Sequence, residues 1–143
     1  MGNSFDSVME LSNEEKVAYM MAFARLAGAD GVFSDVEKEF IEDMAKSYFL
    51  PEKSLQRILS ATDSDVISAV KNIKRRRVAL DLIKNLCFLG YSDEELSDEE
   101  LLFIGKVGEA MGVAPEKIEE ISEWVVEKII LAERAKIVFE EVQ

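Results

Sequence analysis

Two prolines in 143 residues leave long stretches that no pyrrolidine ring interrupts, and within them the apolar side chains return at every third or fourth position. Proline lacks an amide proton and clashes with the turn before it, so its scarcity frees the backbone for long helices. A period of three to four puts the apolar side chains on one face of a helix, whereas a period of two would mark a strand. The chain is therefore expected to be all-α, with about seven helices in one bundle. A length of 143 residues suits a single domain, expected over residues 1–143.

The first helix is expected from about Asn13 to Ala29, with Val17, Met20, Met21, Ala24, Ala27 and Gly28 on one stripe and Tyr19, Phe23 and Leu26 beside it. Asp30-Gly31 supplies a turn. Ser34-Asp35-Val36-Glu37 then has the Ser-x-x-Glu spacing in which two side chains cap free amides at a helix start. The second helix runs to about Tyr48 and buries Val36, Phe40, Ile41, Met44 and Ala45. Pro51 opens a short third helix to about Leu59, and Thr62, Asp63 and Ser64 offer caps for a fourth carrying Val66, Ile67, Val70 and Ile73. A fifth carries Val78, Leu80, Leu82, Ile83, Leu86 and Leu89. Ser97-Asp98-Glu99-Glu100 repeats the capping spacing and starts a sixth through about Met111, where Gly112 ends it; Pro115 begins a long helix to about residue 141.

Sliding the sequence on itself by 63 residues superposes Leu26 on Leu89, Asp30 on Asp93, Ser34 on Ser97, Asp35 on Asp98, Glu37 on Glu100, Phe40 on Phe103 and Ile41 on Ile104. An apolar helix end, an acidic turn, a capping box and an apolar helix start recur in that order, which predicts two helix-turn-helix repeat units, about 13–50 and 76–113, packed as one bundle. Phe40 and Phe103 are expected to fill equivalent core positions.

These residues resemble the tellurite-resistance protein TerB family: Ala29-Asp30-Gly31 with Ser34-Asp35-Val36-Glu37, echoed by Asp93 and Ser97-Asp98-Glu99-Glu100, over roughly residues 13–125. The resemblance implies a small all-helical bacterial protein of two such repeats. It further implies a role in tellurite and chemical-stress resistance beside membrane-associated protein partners, with paired acidic clusters as metal sites. On that reading the candidate metal ligands are Asp30, Asp35 and Glu37 in the first turn and Asp93, Asp98 and Glu100 in the second. Glu94 stands where the first unit has Gly31.

The carboxylates themselves admit two readings. Hard cations such as Ca²⁺ or Mg²⁺ need several oxygen ligands on a bend, and each turn gathers carboxylates within eight residues. The spacing is not that of an EF-hand, because counting from Asp30 puts Asp35 sixth and Ile41 twelfth, where Gly and Glu are required. Ser34 and Ser97 as caps, with acids in the first turns, satisfy the helix dipole without any ion.

Other features narrow the functional classes. The net charge of −12 opposes binding to phosphate backbones, so no nucleic-acid partner is expected. The absence of histidine removes imidazole-based catalysis and histidine-ligated metals, and no sheltered nucleophile replaces them, which points away from an enzyme. Cys87 is alone and sits in the apolar run Leu86-Cys87-Phe88-Leu89, as a small core residue would. No run approaches the roughly 18 apolar residues of a membrane span, and residues 1–11 have no basic-then-apolar leader. A cytoplasmic protein is expected, peripheral to the inner membrane only through a partner. Lys71, Lys74, Arg75, Arg76 and Arg77 form a basic run at a helix junction.

The last helix is apolar nearly all round. Trp124, Leu131 and Val138 recur at sevens, and Val126, Ile130 and Ile137 make a further face. A protein-contact surface, including a homodimer through this C-terminal helix, is the corresponding expectation. Two function classes thus stand: a non-catalytic TerB-like stress-response protein acting through protein contacts and a divalent metal, or a purely structural adaptor that oligomerises without metal.

Overall fold

Helix α1 (Asn13–Ala27) carries apolar or small side chains around almost its whole circumference, and ten of its fifteen residues are buried. A helix with no polar face must be surrounded. In the computed structural model, which describes residues 11–27, 35–92 and 97–140, it is the axis of the bundle. Around it stand α2 (Asp35–Ser47), α3 (Glu52–Ser60), α4 (Asp63–Val70), α5 (Arg76–Ser92) and α6 (Asp98–Ala110), all of which touch it. The long α7 (Pro115–Phe139) packs on α5 and α6 instead. The described residues thus form seven helices and no strand.

The core is continuous from α1 to α7. Tyr19, Met20, Ile41, Ile58, Leu82, Ile83, Leu86 and Ile104 are all essentially inaccessible, and each such side chain contributes roughly 1.5–3 kcal/mol of transfer free energy. Gly108 lets α6 and α7 approach closely: a Cβ there would run into Ile118 Cδ1.

Three helix starts share one device. Ser12 with Glu15, Thr62 with Asp65, and Ser97 with Glu100 each form a capping box, the hydroxyl accepting from the backbone N–H three residues on and the carboxylate accepting from the cap's own N–H. The Ser12–Glu15 box went unrecognised in the sequence although its spacing is the same. The expected Ser34–Glu37 box lies outside the described residues.

The 63-residue offset reappears in the geometry. Helices begin at Asn13 and Arg76, at Asp35 and Asp98, and at Glu52 and Pro115. The ends of α2 and α6 match as well. At α2, Phe49 has φ 59° and the Leu50 N–H donates to the Ala45 carbonyl at 3.0 Å. At α6, Gly112 has φ 78° and the Val113 N–H donates to the Gly108 carbonyl at 2.8 Å. Both are left-handed caps that satisfy otherwise orphaned carbonyls. The α4 segment has no counterpart in this scheme.

Two core expectations need correction. Val36 and Phe40 are 77% and 54% exposed, so neither is a core residue and Phe40 is not equivalent to the half-buried Phe103. Helix α2 meets the bundle chiefly through α1, and its later positions Ile41 and Ala45, with half-buried Met44 between them and Tyr48 just beyond, pack on the core. Ile73 is buried as expected but follows the end of α4.

Candidate functional site

Of the six acidic residues singled out in the sequence, three have described side chains. Asp35 and Asp98 are exposed in the first turns of α2 and α6. Glu100 is committed to its cap, with Oε1 accepting from the Ser97 N–H at 2.9 Å. Asp30 and Asp93, and the side chain of Glu37, lie outside the described residues. Among the described residues, no three His, Cys, Asp or Glu side chains gather as metal ligands.

A cleft of about 510 Å³ opens where the end of α1 meets the starts of α4 and α6. Arg25 Nε and Asp63 Oδ1 pair at 2.5 Å across its rim and tie α1 to α4. Leu26 and Phe103 give it an apolar wall, while Lys106, Glu99 and Glu100 add both signs of charge. Its hydroxyl-bearing residue Ser97 is held in the capping box. An open, partly apolar cleft with charge of both signs has the makings of a recognition surface. Sequence reasoning missed Arg25, Asp63 and Lys106 as a group, because nothing local links residues 38 positions apart.

A second polar group lies inside the bundle between α1, α2 and α5. Lys16, only 8% exposed, donates from Nζ to the Tyr48 carbonyl at 3.2 Å. Asn85 Nδ2 donates to the Tyr19 hydroxyl at 2.6 Å. Among the described residues, Tyr48 Oη and Asp81 Oδ2 are buried with no hydrogen-bond partner. Burial pushes the Tyr19 hydroxyl well above its ordinary value and that of Tyr48 up to about 12, so both phenols stay neutral. Burial likewise raises the Cys87 thiol to about 11, against a smaller opposing hydrogen bond with Ser122. Such a thiol is inert, as its apolar run suggested.

The basic run is structural in part. Lys71, Lys74, Arg75, Arg76 and Arg77 are exposed at the α4–α5 junction, and Arg76 Nη1 donates to the Gly112 carbonyl at 3.3 Å.

The last helix is the most conspicuous surface. Its first half is docked: Val125 is fully buried, Tyr91 and Ser122 share a hydrogen bond at 3.0 Å, and Phe88 meets Trp124 edge-on at 6.1 Å. From Leu131 to Glu140 every residue is exposed. Leu131, Ile137, Val138 and Phe139 are 64%, 79%, 66% and 82% exposed. The helix therefore leaves the bundle and carries large apolar side chains with it. No helix among the described residues is long and apolar enough to cross a membrane.

No protein-family model matches this chain, and no curated protein or solved structure matches it either. The likeness to the TerB family rests on the residues that carry it.

Proposed function

We propose that this chain is a non-catalytic, TerB-like helical module that acts through protein contacts, with the outer half of α7 as its contact element. The observation that carries this reading is the run of ten exposed residues, Leu131 to Glu140, bearing four large apolar side chains on a helix that has left its own core. Contiguous exposed apolar surface of this kind costs solubility unless something covers it, and on monomeric proteins it marks interaction sites. The capping geometry of Ser97 and Glu100 supports the acids of the second turn as helix-start residues rather than ion ligands. The stress-response setting comes from the resemblance alone.

The test is a photo-reactive amino acid placed at position 131 in the native host, with the same group at exposed Lys53 as control. Discrete adducts from position 131 alone are the expected result. Absence of adducts at 131 refutes the contact element.

A further inference from the structure

We infer that the partner of α7 is α7 of a second copy of this chain, laid antiparallel about a two-fold axis near Leu131; this rests on the contact reading above. Three observations point there.

First, the stripe is self-complementary. Trp124, Leu131 and Val138 are spaced by seven in both directions, which keeps them on one face of a helix to within about 20° per interval. Reversing one helix about Leu131 sets Trp124 against the partner's Val138 and Leu131 against the partner's Leu131. Trp124, at 46% exposed, still offers surface on the outer side of the docked half. The free end of each helix would then cover the outer face of the other's docked half. An isologous contact of this kind closes on itself and leaves no apolar end unmatched.

Second, the charges select that direction. Glu127 and Arg134 flank the same side of the stripe and both are exposed. In the antiparallel register each Glu127 lies within one residue's rise of the partner's Arg134, twice by symmetry. A parallel register would put the two copies' Glu127 and Arg134 on opposite flanks of the seam and leave them without that pairing. It would also bring two bodies of net charge −12 side by side. Like charges across an interface are disfavoured, and opposite charges fix register.

Third, the stripe is open along its length: Trp124, Leu131 and Val138 are 46%, 64% and 66% exposed.

The experiment is sedimentation equilibrium on the purified full chain over a wide concentration range. The expected mass is twice 16.1 kDa. Leu131→Glu should give a monomer with unchanged far-UV circular dichroism. Glu127→Arg and Arg134→Glu should each raise the dissociation constant about tenfold, and the double variant should restore it, because the exchanged pair is again opposite in sign. Leu131→Cys should form an intermolecular disulfide on mild oxidation, since Cys87 is buried and does not compete. A wild-type monomer at every concentration overturns the pairing. A dimer that ignores both charge reversals, or that yields no Leu131→Cys disulfide, overturns the antiparallel register. If the purified chain is monomeric while position 131 still gives adducts to another protein, the self-pairing fails and the contact reading stands; if no adducts form, both fall.

Discussion

Phe49 and Gly112 occupy the same place in the two halves of the fold, each just past a helix end with positive φ, yet only one of them is glycine. An L residue in the left-handed region brings Cβ against the following carbonyl, at roughly 1–2 kcal/mol. Glycine avoids that contact but loses about 0.5–1 kcal/mol more chain entropy on folding than alanine does. The net advantage of glycine over alanine at such a cap is therefore about 0.5–1 kcal/mol. Comparing Phe49→Gly with Phe49→Ala isolates this term, because both variants remove the same mostly exposed ring, 77% accessible in the wild type. Phe49→Gly should be the more stable of the two by that margin, or about 2–4 °C in Tm for a chain of this size. The converse is Gly112→Ala, where a Cβ would meet nothing within 4 Å, so any loss is backbone strain and not a clash. It should lose a similar amount. Urea titration followed by circular dichroism at 25 °C measures all three. If Phe49→Ala equals or exceeds Phe49→Gly, the left-handed cap at α2 is not what holds the Leu50 N–H to the Ala45 carbonyl, and the matched geometry of the two halves fails there.

Ser97→Ala removes the hydroxyl that accepts from the Glu100 backbone N–H and leaves that amide without its cap, and should cost about 1 kcal/mol in the same titration. Phe40→Ala should cost under about 1 kcal/mol, since the ring is 54% exposed; a loss of 3 kcal/mol or more would restore Phe40 to the core. The unfolded Cys87 thiol ionises near its ordinary value while the buried one stays protonated up to about 11, so the unfolded state holds fewer protons and stability falls as pH rises between the two. Unfolding free energy should thus drop by about 2 kcal/mol from pH 9 to 11 through Cys87 alone, Tyr19 and Tyr48 adding to the fall above pH 10, and Cys87→Ala should flatten the slope. An unchanged slope in the variant would place the alkaline sensitivity elsewhere.

Periodicity made the helices legible because each records which of its faces is apolar. It does not record whether another element stands opposite that face. Val36 and Phe40 have the right spacing on α2, yet the bundle reaches Ile41, Met44, Ala45 and Tyr48 and not them. The α7 stripes posed the same ambiguity, and the structure resolves it differently along one helix: Val125 is buried and Val138 is not. Phe49 could have been read from the 63-residue offset to Gly112, since a glycine that ends one helix implies a left-handed residue at the matching end of the other. The Arg25–Asp63 pair and the cleft beside it had no such signal, because only the docking of α4 on α1 creates them. Of the six acids picked as ligands, Glu100 is accounted for by local capping, which uses the same oxygen atoms an ion would need.

The split character of α7 bears on what an encounter at its free end would demand. Ten residues alone in water make a poor helix, since the first turn fixes several torsions for one hydrogen bond. Here the docked half, clamped by Val125 and the Tyr91–Ser122 bond, already supplies that first turn. The outer residues only extend an existing spiral, one bond per residue added. They can fray and reform without ever nucleating, so whatever closes on them meets a ligand whose shape is largely set and whose ordering entropy has mostly been lost on folding.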